Sequence, residues 1–150
     1  MGTSAEIIFR KMLPEDFVAV YKIETETFIA SWSHNYFKNY LKRKEILSFV
    51  AEMDKKIIAY AIVKFSAQTA NIIKIAVDLQ FQRRGIGKNF LLEILNFIRE
   101  NGGHTINLHV RTDNTSAIRL YESVGFEILE RLENFYKVTN EDAFKMECKI

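Results

Sequence analysis

The chain of 150 residues is poor in the residues that staple, break or flex a backbone: one cysteine, one proline, six glycines and one tryptophan. A single cysteine, Cys148, excludes an intramolecular disulfide and gives no sign of an oxidising compartment; it reads as a small apolar residue. So little proline and glycine leaves no linker, and no repeat or low-complexity stretch interrupts the chain. Long apolar runs are missing as well, so neither a secretory signal nor a membrane-spanning helix is expected. The start Met1-Gly2 resembles an acylation site, but Glu6 stands where that signal needs Ser or Thr. A net charge of +2 gives no reason to expect nucleic acid or a membrane surface as partner. What is present is the balance of a folded soluble domain, 48% hydrophobic and 27% charged, at a length that buries a core unaided. One domain spanning residues 1–150, in the cytoplasm, is the expectation.

Periodicity sets out the elements. Glu6–Arg10 reads as a first strand. Pro14-Glu15-Asp16 opens a helix carrying Phe17, Val20, Tyr21, Glu24 and Phe28, and Ser33 caps a shorter one through Leu41. Ile46–Met53 and Lys56–Phe65 read as strands joined by the tight turn Asp54-Lys55, the second apolar on both faces and therefore central. Thr69–Asp78 is a further strand. Gly85–Asn101 is the clearest helix, with Ile86, Phe90, Leu91, Ile94, Leu95 and Ile98 on one face. His104–Arg111 alternates as a strand, Asp113–Thr115 caps a helix through Val124, and Phe126–Arg131 and Asp142–Lys149 close the chain as an antiparallel pair. The order β-α-α-β-β-β-α-β-α-β-β predicts an α/β (α+β) domain, a mixed sheet with helices on both faces.

Between the fourth strand and the long helix lies Gln82-Arg83-Arg84-Gly85-Ile86-Gly87. A helix start exposes unpaired N–H groups and a partial positive charge. Gly85 and Gly87 let an anion approach the backbone, and Arg83, Arg84 and Lys88 add charge, so a diphosphate suits the turn. Phe90 occupies the third position of a dinucleotide-binding G-x-G-x-x-G, and the G-K-[ST] ending of a P-loop is absent. By itself, a turn with two glycines is more often structural than phosphate-binding.

These residues resemble the Q/R-x-x-G-x-G/A signature of the GNAT superfamily of N-acetyltransferases, and Ile75-Ala76-Val77-Asp78 resembles the strand before it. Leu108-His109-Val110-Arg111, Asn114, Ala117-Ile118, Tyr121-Glu122 and Gly125-Phe126 resemble the N-terminal acetyltransferases of that superfamily. Asn134-Phe135-Tyr136 and Glu141-Asp142-Ala143 resemble their closing hairpin, and Ile23-Glu24 with Phe28–Trp32 their substrate-side region. The resemblance implies a seven-stranded, mostly antiparallel GNAT fold and acetyl-CoA as co-substrate, without a metal. Backbone amides of Gln82, Arg83, Arg84, Gly85, Ile86, Gly87 and Lys88 would hold the diphosphate, and Ile75, Ala76, Val77 and Asn114 the pantetheine arm.

Acetyl transfer to an amine needs a base for the ammonium, a donor for the developing oxyanion and a proton for the leaving thiolate, and no enzyme nucleophile. By the resemblance Tyr121 is the acid; its phase with Ile118 and Val124 also fits a core aromatic. His109 is the candidate base, with a strand histidine satisfied by hydrogen bonds as the alternative. Glu24 is the fallback base, against a plain exposed helix carboxylate. Asn114 also reads as a helix cap. Phe28, Ile29, Ala30, Phe135 and Tyr136 are candidates for a peptide groove, or for core and rim. Relatives carry Phe-Pro where this chain has Phe28-Ile29. The acceptor implied is a protein or peptide N-terminus, with an auxiliary subunit or the ribosome as possible company. A lysine, polyamine or other small amine, or a non-catalytic acetyl-CoA-binding subunit, are the alternatives.

Overall fold

A computed structural model describes residues 6–150; the Met1-Gly2 start lies outside them. The elements run β1 (Ile7–Lys11), a 3-10 turn at Pro14–Asp16, α1 (Phe17–Thr27), α2 (His34–Tyr40), β2 (Ile46–Met53), β3 (Lys56–Ser66), β4 (Thr69–Val77), a 3-10 turn at Leu79–Phe81, α3 (Ile86–Glu100), β5 (Thr105–Arg111), α4 (Thr115–Ser123), β6 (Glu127–Tyr136) and β7 (Glu141–Lys149). The seven strands form one sheet in the order β1-β2-β3-β4-β5-β7-β6. All neighbours are antiparallel except β4 and β5.

Local chemistry explains the boundaries. Asp54 and Lys55 both take positive φ, 51° and 63°, the twist a two-residue hairpin requires. Ser33 accepts a hydrogen bond from the Tyr36 amide and starts α2. Strand β3 is buried from Ile57 to Val63, as a central strand covered on both faces must be. One apolar layer joins the sheet to α3 and α4 through Phe90, Leu91, Ile94, Ile98 and Ile118. The other joins it to α1 and α2 through Val20, Ile23, Phe37 and Tyr40. Cys148 is buried.

Strand β6 runs five residues beyond its expected end at Arg131. Its register with β7 shifts between Leu132 and Tyr136, so no alternation marks this half. Asp142 holds it instead: its carboxylate accepts from the Asn134 amide at 2.9 Å and from Arg131 at 2.8 Å. No described helix is long and apolar enough to cross a membrane.

The feature that positions the site is the short parallel pairing. Strands β4 and β5 pair only from Thr69–Ile72 to Thr105–Leu108. Lys74–Val77 then stay with β3, while His109–Arg111 stay with β7, and a gap opens inside the sheet. A bulge in β4 between Ile72 and Lys74 turns Lys74 toward the α1 face.

Candidate active site

At the helix end of the gap, the Gln82 side chain closes the turn by donating to the Val77 carbonyl at 3.0 Å. Arg83 and Gly85 both take positive φ, 63° and 78°. The first helical bond of α3 runs from the Asn89 amide to the Gly85 carbonyl, so the amides of Ile86, Gly87 and Lys88 have no helical acceptor. Arg83, Arg84 and Lys88 are exposed and form no salt bridge among the described residues. A Cβ at Gly87 would meet nothing closer than 3.7 Å, so the protein itself does not demand glycine there. Bare amides, free cations and an uncrowded backbone fit the diphosphate of acetyl-CoA.

A cavity of about 340 Å³ occupies the divergence of β4 and β5. It brings together Phe28, Ile29, Ala30, Ile75, His109, Asn114, Tyr121 and Tyr136 of the predicted set. Ala76 faces the α1–α2 layer instead, and Val77 lies beside Gly87. A second depression, about 360 Å³ among Phe9, Phe49, Phe90 and Phe97, holds none of the candidates.

On β5, Ile106, Leu108 and Val110 face α3, which turns His109 and Arg111 to the opposite side. The His109 ring stacks on Phe135 from the β6–β7 hairpin, centroids 4.5 Å apart. Partial desolvation of this otherwise exposed ring, then the nearby Lys145, hold its pKa below the usual 6.5, while Glu130 pulls it back up. The imidazole therefore favours its neutral, proton-accepting form. Arg111 lies over the Tyr136 ring at 4.4 Å, with Nε 3.4 Å from Glu141 but without hydrogen-bond geometry.

Tyr121 enters from α4 and is 9% exposed. Its hydroxyl makes no hydrogen bond to another described residue. Burial, followed by Tyr136, pushes its pKa up to about 12, so it stays protonated and able to donate at neutral pH. Asn114 caps α4, its Oδ1 accepting from the Ala117 amide at 3.2 Å.

Glu24 stands neither in the cavity, where a fallback base would act, nor on an exposed face of α1. It is 0% exposed and lines no part of the cavity. Its carboxylate accepts from the Tyr60 hydroxyl, from the Trp32 amide at 2.8 Å and from Lys74 Nζ at 2.5 Å. With its oxygens so engaged it is a poor base for an incoming amine; it ties the loop after α1 to the sheet. Lys74 in turn sits 4.4 Å from both the Phe28 and Trp32 rings. Burial lowers the Lys74 pKa, and Glu24 opposes that. Burial, then Glu24, raises that of Tyr60. Neither Lys74 nor Tyr60 is a sequence-predicted site residue. The sequence signal is that Tyr60 is the one polar side chain between Ile57 and Val63, and Lys74 the one charge in β4.

Among the described residues no three His, Cys, Asp or Glu side chains are grouped to hold a metal ion. The model of the acetyltransferase (GNAT) family matches residues 17–126. The [ribosomal protein bS18]-alanine N-acetyltransferase of Escherichia coli K12 is 34% identical over 137 residues, covering 90% of this chain and 92% of the relative. The crystal structure of the E. coli ribosomal-protein-S18-alanine N-acetyltransferase superposes with a TM-score of 0.90 at 31% identity, over 97% of this chain and 94% of that one. Ard1 of Thermoplasma volcanium superposes at 0.87 with 26% identity, over 96% and 97%. A split sheet, a glycine turn ahead of the long helix and relatedness along nearly the whole length agree: the chain belongs to the GNAT family of acetyltransferases.

Proposed function

We propose that this protein transfers an acetyl group from acetyl-CoA to the α-amine of a protein N-terminus, by direct attack within a ternary complex. GNAT acetyltransferases use acetyl-CoA, which supplies an activated thioester carbonyl and a thiolate leaving group. The Ile86, Gly87 and Lys88 amides, with Gln82, Arg83, Arg84 and Gly85 around them, hold the diphosphate. The free edge of β4 at Ile75–Val77 and the side-chain Nδ2 of Asn114 hold the pantetheine arm. His109, directly or through a water, takes the proton from the acceptor nitrogen, and Tyr121 gives one to the leaving sulfur. Phe28, Ile29, Ala30 and Tyr136 flank the acceptor backbone.

The observation that carries this reading is the convergence of His109 and Tyr121 on one cavity at the strand divergence. The name of the E. coli relative supports a ribosomal-protein N-terminus as the acceptor class; a cytoplasmic site of action is part of the same proposal. Among the described residues no carboxylate lines the cavity, which disfavours a polyamine acceptor. Thiol release from acetyl-CoA, measured against N-terminal peptides, N-blocked lysine peptides and polyamines, tests it. Turnover confined to free N-termini is expected. Turnover with polyamines alone overturns the acceptor, and tight binding without turnover overturns the catalysis.

A further inference from the structure

Lys74 has no part in the chemistry assigned above, yet it lines the acceptor cavity. Its side chain is 10% exposed and that of its partner Glu24 is 0% exposed. The pair is therefore oriented, anion inward beneath Tyr60 and the Trp32 amide, cation on the cavity side between two aromatic faces. The other charged or titratable groups lining the cavity are Arg111, His109, Tyr121 and Tyr136. Lys145 and Glu130 act on His109 from β7 and β6, and Glu141 stands beside Arg111 outside the lining. Among the described residues nothing lining the cavity offers an anion to an incoming ammonium.

Building on the acceptor reading above, we infer that Lys74 is a specificity-determining residue: its ammonium, backed by Glu24, admits acceptor amines in their neutral form and so selects α-amines over lysine ε-amines and polyamines. The size of the selection follows from ordinary amine basicity. At pH 7 an α-amine of pKa about 7.7–8.0 is neutral in roughly one molecule in ten, and a lysine ε-amine of about 10.4 in roughly one in 2,500. A site that demands the neutral amine therefore discriminates by about 200- to 500-fold before any shape is read. A carboxylate facing the cavity would erase that difference by holding the ammonium.

The experiment compares kcat/KM for a peptide with a free α-amine and no lysine, an N-blocked peptide with one lysine, and spermidine. The proteins are the wild type, Lys74→Met, Lys74→Arg and the double variant Lys74→Met with Glu24→Gln. Lys74→Met removes the outward cation and leaves the Glu24 carboxylate short of a partner. Its kcat/KM on the lysine peptide and spermidine is expected to rise by about tenfold or more at pH 7, since one neighbouring charge moves a pKa by about 1–3 units. Lys74→Arg keeps the wild-type selectivity. The double variant, neutral at both positions, rises by less and serves as the test if the single variant does not fold. A role confined to holding the loop would lower all three acceptors in parallel. An unchanged α-to-ε ratio in the folded Lys74→Met proteins overturns the inference and leaves the acetyltransferase reading intact. A wild type that acetylates no free N-terminus overturns both.

Discussion

Replacing Gly87 by alanine separates what the protein needs at the start of α3 from what its ligand needs. Glycine in a helix costs about 0.5–1 kcal/mol relative to alanine. The added methyl meets Leu120 and Val77 at 3.7 Å, ordinary contact distance, and φ at this position is not positive. The ligand-free variant should therefore be more stable by about 0.5–1 kcal/mol, or about 1–4 °C in Tm for a chain of this size. With ligand the order should reverse. The methyl stands among the amides read as the diphosphate cradle; a tenfold loss of affinity removes about 1.4 kcal/mol of ligand stabilisation at saturation. Thermal melts with and without saturating CoA should therefore cross, the variant melting above wild type without ligand and below it with ligand. A variant that melts lower without ligand would show that Gly87 serves the fold. A CoA-induced shift equal to that of wild type would remove the α3 amides from the binding site.

Tyr121→Phe should cut turnover by about 10²–10⁴-fold while CoA binding and Tm stay unchanged, because the hydroxyl makes no bond within the described fold; titration calorimetry beside steady-state rates checks this. His109 is read as active when neutral and its pKa is lowered, so the acid limb of the kcat profile, taken at saturating acceptor so that titration of the free amine does not enter, should fall below pH 6.5. Lys145→Met should move that limb upward and Glu130→Gln downward, as pH-rate profiles would show. Glu24→Ala leaves Lys74 and Tyr60 without their shared acceptor, and urea melts should record a loss of about 3–5 kcal/mol.

Legibility in the sequence followed chemistry that is local. The phase of Ile86 to Ile98, the Asp54-Lys55 turn and the Ser33 and Asn114 caps all act within a few residues, and each stands where periodicity and capping put it. The far half of β6 was not legible because its anchor, Asp142, belongs to another strand. The partners of Glu24 are illegible for a similar reason. Its helix phase, shared with Val20, turns it inward, but what holds it there is Tyr60, 36 residues away, and Lys74, 50 residues away. The cavity candidates came from resemblance; their shared location is a property of the sheet's split, which no local pattern announces.

That split leaves the middle of the sheet with a raw border. From Ile73 to Val77, the backbone groups of β4 turned toward β5 have no neighbouring strand to meet. Interior borders of this kind invite an extended chain to lie along them and complete the lattice of amides. A pantetheine arm, with its two amide groups, is such a chain in miniature. On the binding mode proposed above, the cofactor would act as a removable strip of sheet, and amide exchange along Ile73–Val77 should slow once it is in place.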